Sequence, residues 1–229
     1  MDGRGGIIGF GIQGGGMPAL GSPSLRNSRT QKLDQAFIIK SSVIEGTGMV
    51  TIVPTLTLEG FLAQPETEPA SEFFTGDVTQ KPMPQGKHSR LQFKLCLTIA
   101  AAVEEAKIAG VFPELRCTFG GASIVPDIAV VRWGQIPRDP SGDVANRFLL
   151  PPDWAIEILS PDQSQSKVLE RLLFCSEQGT ELGWLLNPRE GSVVVVFGGQ
   201  RVQVLRLLPV LEGVSVSLTV DQVFGWVFG

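Results

Sequence analysis

IVPDIAVV, residues Ile124 to Val131, is a run suited to burial that carries a carboxylate, Asp127, directly behind a proline. A polar group buried without a partner costs roughly 2–7 kcal/mol, and an ionised carboxylate costs more. Asp127 therefore requires a compensating group elsewhere in the chain. A second apolar run, WAIEILS at Trp154 to Ser160, also holds an acid, Glu157. In an extended strand Ala155, Glu157 and Leu159 share one face, so Glu157 lies against the grain of its own segment. If the two runs pair as neighbouring strands, the acids converge on a shared cation, and oxygen donors suit magnesium or manganese better than zinc. The alternative is a plain Pro-Asp turn and a strand glutamate paired with Arg116 or Arg132.

Outward from these strands the pattern predicts an α/β order. TLEGFLAQPE (57–66) has Thr57 as N-cap, Glu59 in the first turn and Pro65 as a stop, which is a short helix. SEFFTGDVTQKPMP (71–84) turns at Thr75, Gly76 and Asp77 and predicts a hairpin. From His88 a helical face of Leu91, Leu95, Ile99, Ala102, Val103 and Ala106 runs to a stop at Gly110. PELRCTFG (113–120), IVPDIAVVRW (124–133) and DWAIEILS (153–160) read as strands. A second helix is expected from Ser160, where SPDQ has capping-box spacing, to near Gly179. GWLLNP, SVVVVFG and QRVQVLRL then form strands, the last two joined through Gly198 and Gly199, and TVDQVFGWVF a closing helix.

The 229 residues, 43% hydrophobic and 18% charged, suit one folded domain with a tail. Residues 1–48, rich in Gly and Ser, are expected to be a disordered or spurious extension, with the folded domain over 49–229. The G-x-G-x-x-G match at Gly9, Gly11 and Gly14 lacks a preceding strand and a following helix and is set aside. Three cysteines without C-x-x-C spacing point to free thiols in a reducing cytoplasm. The single histidine, His88, excludes a multi-histidine metal site, and no G-x-S-x-G supports a serine nucleophile. A net charge of -4 argues against coating nucleic acid by bulk charge, though it leaves room for a local basic groove around Lys81, Lys87, Arg90 and Lys94. No apolar run is long enough to span a bilayer.

Several motifs occur together in order: TLEGFLAQPE, the E-x-x-x-G-D of Glu72 to Asp77 with KPMP behind it, His88 at the start of the long helix, VPD at 125–127, IEILSP at 156–161 and GWLLNP at 183–188. In this the chain from Leu56 to Phe228 resembles the Uma family of endonucleases, within the restriction-endonuclease-like PD-(D/E)xK superfamily. The resemblance implies an α/β fold, a mixed central sheet flanked by helices with a C-terminal hairpin. It further implies hydrolysis of DNA phosphodiesters with Mg2+ (or Mn2+), using Asp127 and Glu157 as catalytic metal ligands and Glu72 as a third. A homodimer is expected by analogy with restriction-like folds.

The superfamily pattern has lysine two residues after the acid, and here that place is Leu159. A cation on the following helix is the expected substitute. Lys167 is taken as the catalytic cation, about 10 Å along a helix starting at Ser160. Arg171 aligns better with the lysine of many relatives, but arginine stays protonated and cannot act as a base. Arg171 and His88 are assigned to the substrate side, with a polar residue at a helix start as the other role for His88. The rival to an enzyme is a catalytically inactive DNA-binding or interaction protein that retains the nuclease fold.

Overall fold

Pro126 splits what the sequence suggests is one strand into two strands of different sheets. A computed structural model of the chain describes residues 37–41 and 52–228, with side-chain surroundings from 56 to 227. In it β7 (Ala122–Ile124) ends, Val125-Pro126-Asp127 crosses over, and β8 (Ile128–Arg132) begins in another sheet. Proline has no N–H to give to a ladder, so the pairing breaks there.

The larger sheet has six strands, in the order β12 (Arg201–Val204), β11 (Ser192–Phe197), β10 (Leu182–Asn187), β9 (Trp154–Ile158), β8 and β5 (Ala109–Pro113). Only β9 and β10 run parallel, and a parallel pair requires a crossover, which α3 (Gln165–Glu177) supplies. The smaller sheet orders β4 (Asp77–Gln80), β3 (Ser71–Phe74), β7 and β6 (Cys117–Phe119). The predicted mixed sheet, the helices against it and the hairpin β11–β12 are all present.

Alternation along the central strands sends side chains to opposite faces. On one face Leu91, Leu95, Ile99 and Val103 of α2 (Gly86–Val103) pack on Ile128, Val130, Trp154, Ile156 and Trp184, together with Val223 and Phe224 of α4 (Val220–Phe228). On the other, Val168 and Leu172 of α3 pack on Ala155, Leu185, Val194 and Val196. A third cluster joins Ala129 and Val131 to Cys117, Phe119 and Ile124 of the smaller sheet. Cys96, Cys117 and Cys175 are free thiols, and burial pushes the Cys117 thiol up to about 12.

The short helix α1 (Leu58–Leu62) starts where expected, with the Thr57 hydroxyl accepting from the Gly60 amide at 3.0 Å. The hairpin turn holds Thr75 and Gly76 at φ 53° and 90°. Three boundaries differ. Helix α2 ends at Val103 rather than running towards Gly110: the chain reverses through Lys107 at φ 52°, the Ile108 amide returns to the Val103 carbonyl, and Gly110 sits inside β5. PELRCTFG is not one strand, because Glu114 at φ 49° kinks the chain between β5 and β6. Helix α3 starts at Gln165, not Ser160. The Ser160 amide donates to Gln163 Oε1 and the Gln163 amide donates back to the Ser160 carbonyl, so the capping-box residues close a turn and Ser164 becomes the N-cap residue.

Within 1–48, Phe37–Ser41 forms β1, antiparallel to β2 (Ile52–Leu56). Its Ile38-Ile39 pair has strand character that the Gly-rich composition of the whole stretch hides. The rest of 1–48, with the expectation of disorder and the glycine motif, lies outside the described residues. Among the described residues, no helix is long and apolar enough to cross a membrane.

Candidate active site

The β8–β9 register pairs Ala129 with Ala155 and Ile128 with Ile156, and one further step sets Asp127 against Glu157. Both acids are buried, at 1% and 4% exposure. Another step would set Ile158 against Pro126, where the ladder cannot be completed. There Asp127 Oδ2 accepts the Ile158 amide at 2.7 Å, so the carboxylate acts as a ladder acceptor at the point where the proline interrupts pairing. The same oxygen lies 3.0 Å from His88 Nε2, in the first turn of α2.

Lys81 is the direct cationic partner of this pair. Its backbone amide donates to the Ala70 carbonyl, extending the β3–β4 hairpin, and its side chain turns inward at 8% exposure. Nζ lies 2.5 Å from Asp127 Oδ1, 2.7 Å from the Val125 carbonyl, and 3.8 Å from both Glu157 Oε2 and Glu114 Oε2. Lys81 is thus no member of an exposed basic cluster. Of the others, Lys94 packs over the Trp226 ring at 5.7 Å, while Lys87 and Arg90 are on the exposed side of α2. Arg116 and Arg132, the alternative partners for a strand glutamate, pair with Glu66 and with Glu181.

Glu72, in β3, is 1% exposed and lies behind this group. Its Oε1 accepts the Val125 amide at 2.8 Å, so it clamps the crossover next to Asp127. Its Oε2 is 3.5 Å from Arg171 Nε, an ion pair without hydrogen-bond geometry, and Nε is buried with no hydrogen-bond partner. Lys167 is exposed one turn earlier on α3 and shares a small cavity of about 120 Å³ with Glu72, Lys81 and Arg171.

These surroundings drive the two acids apart. Burial pushes the Glu157 carboxyl up to about 8, with Asp127 and Glu72 adding to the rise and Lys81 and Arg171 opposing it. Burial works in the same direction on Asp127, but there the Lys81 charge and the His88 hydrogen bond prevail and hold it down to about 2. Burial opposes the charge of Lys81, and Glu157, Asp127, Glu114 and Glu72 together outweigh it, keeping the ammonium protonated above its ordinary range.

A cleft of about 390 Å³ opens over the site, lined by Lys81, His88, Gln92, Glu114, Asp127 and Gln163 among others. Among the described residues no three His, Cys, Asp or Glu side chains form a ready metal-ligand cluster. Two carboxylates and one backbone carbonyl nevertheless face a single point, the place of Lys81 Nζ. An all-oxygen set of this size, completed by water, matches how magnesium is commonly held. The donors therefore fit a hard divalent ion. Lys81 follows the β3–β4 hairpin directly, and its inward turn is set by the hairpin register and the Pro82-Met83-Pro84 exit, neither of which carries a charge signal in the sequence.

Comparison with known proteins bears on residues 58–223, which match the family model described as "Uma2: Putative restriction endonuclease". The crystal structure of a putative nuclease belonging to DUF820 from Anabaena variabilis ATCC 29413 is 49% identical, with a TM-score of 0.73, over 75% of this chain and 98% of that chain. No curated protein matches the chain.

Proposed function

The chain belongs to the Uma2 family and has the restriction-endonuclease-like fold, and from that footing we propose that it is a Mg2+- or Mn2+-dependent endonuclease hydrolysing DNA phosphodiester bonds. The observation that carries this is the convergence of Asp127, Glu157 and the Val125 carbonyl on one cation position beneath an open cleft. These three groups would hold the ion, with Glu72 behind them fixing the Val125 amide. The ion, when bound, neutralises phosphate charge and makes water a stronger acid.

The chain's own residues supply the remainder. His88, hydrogen-bonded to Asp127 at 3.0 Å, holds that carboxylate in place at the cleft wall. Lys167, exposed beside the cleft, supplies positive charge for a phosphate, and Arg171 fixes Glu72. Phosphate contacts of this kind position a nucleic acid without reading its sequence. A cytoplasmic location and a homodimer complete the reading by analogy.

Cleavage of supercoiled plasmid with Mg2+ or Mn2+ tests it. Nicking by the wild type, lost in both Asp127→Ala and Glu157→Ala, is expected. Cleavage that survives both changes would reject the site. A second reading, a DNA-binding protein without catalysis, draws on one observation: the Lys81 ammonium faces both acids and offsets their charge. DNA retention without cleavage would favour it.

A further inference from the structure

Lys81 Nζ stands where three oxygen donors converge, and those are the donors assigned above to a divalent ion. Two cations cannot share such a position, since like charges at that separation repel strongly in a buried site. We propose that the Lys81 ammonium and the divalent ion compete for one set of oxygens, so that the ion enters by turning Lys81 out into the cleft. This rests on the metal-site reading of Asp127 and Glu157.

The surroundings allow the exchange. Lys81 lines both the large cleft and the small cavity that holds Lys167, so its side chain borders open space on two sides. A partner for the displaced ammonium is already in place. Glu114 Oε2 lies 3.8 Å from Nζ, and its side chain is 45% exposed at the cleft. Gln92 Nε2 donates to Glu114 Oε1 and to the Asp127 carbonyl, each at 2.8 Å, which ties that acid to the site. Lysine suits this role because its charge is compact and its stem flexible, whereas the guanidinium of Arg171 is a rigid fork. In the displaced position Lys81 becomes a positioning residue for a phosphate in the cleft, the cation that Leu159, just after β9, does not provide.

Mn2+ binding by calorimetry, on the full chain, tests the competition directly. Lys81→Met removes the competing charge at similar length and is expected to lower Kd on the order of tenfold, because the apo state no longer holds an internal occupant. Lys81→Arg keeps a competitor and should bind no tighter than wild type. A methionine variant with unchanged or weaker Mn2+ binding overturns the proposal. Since that variant leaves two buried acids without their cation, a second readout uses the wild-type chain alone. Acetylation followed by mass spectrometry should label Lys81 more slowly than Lys167 without metal, and severalfold faster with saturating Mn2+. A Lys81 rate that Mn2+ does not raise also overturns it. Plasmid cleavage separates the two levels: a wild type that binds Mn2+ but cuts no DNA removes the catalytic reading and leaves the competition standing, while no Mn2+ binding by either chain removes both.

Discussion

Asp127 and Glu157 stand opposite each other at the end of the β8–β9 ladder, yet the first is held down to about 2 and the second pushed up to about 8. The difference comes from their partners. Asp127 receives Lys81, His88 and the Ile158 amide, whereas Glu157 has the Lys81 ammonium only at 3.8 Å. Two acids driven apart in this way are a recurrent mark of sites that handle protons or metal ions.

Asp127→Asn keeps an acceptor near the Ile158 amide but removes the charge facing Lys81. Breaking one side of a buried ion pair costs about 3–5 kcal/mol. A loss near the lower end is expected, because Glu157 can ionise to take over part of the compensation. Urea unfolding in EDTA measures it, and a midpoint equal to that of the wild type would show that Lys81 does not depend on this carboxylate.

The raised pKa of Glu157 sets a pH dependence. The folded state keeps a proton that the unfolded chain releases above its ordinary value of 4.5, so this stabilisation is complete below 4.5 and is lost as pH rises through about 8. Asp127 acts oppositely: its contribution is complete above 3.8 and is lost as pH falls towards about 2. Between about pH 5 and pH 8 in EDTA, the unfolding midpoint should therefore fall, and Glu157→Gln should flatten the slope. Because a metal ligand must be deprotonated, Mn2+ affinity should rise over the same interval. A midpoint that climbs across this range in the wild type would refute the assignment to Glu157.

The acids were legible because each breaks the apolar grain of a strand, and the hairpin and α1 because their turn and cap residues act locally. What was not legible depends on pairing between distant segments. Lys81 resembles any surface lysine in sequence, and only the hairpin register and the contact with the Val125 crossover turn it inward. Pro126 signalled a turn, but not that the strands on either side of it enter different sheets. At Ser160 the capping-box spacing predicts a helix start, but those residues bond to one another to close a turn, and α3 begins about a turn later with Ser164 as its N-cap residue.

Lys167 and Arg171 are one turn apart on α3 and should respond differently. Lys167 is exposed, so Lys167→Ala should change stability by less than about 0.5 kcal/mol while lowering plasmid cleavage. The Arg171 side chain is 11% exposed and faces Glu72, so Arg171→Met leaves a buried carboxylate unpaired and should cost about 3 kcal/mol. Urea midpoints measured beside cleavage rates distinguish them. Equal destabilisation by both changes would mean that the Arg171–Glu72 contact contributes nothing.

Gly183 tests how closely α3 must sit on the sheet for the site to hold together. A Cβ on Gly183 of β10 would meet Leu172 Cδ2 and Val196 Cβ, each at 3.3 Å, so neither neighbour has room to spare. Overpacking of this kind costs typically about 1–3 kcal/mol, and Gly183→Val adds two methyl groups beyond the Cβ. The helix is the mobile partner, because β10 and β11 are fixed by their ladder. Displacing α3 draws Arg171 away from Glu72 and loosens the clamp on the Val125 amide. Gly183→Val is thus expected to lower both the unfolding midpoint and Mn2+ affinity, while Gly183→Ala, with one methyl group to absorb, should lower both less. Full Mn2+ affinity in a destabilised Gly183→Val chain would separate the packing of α3 from the geometry of the acids.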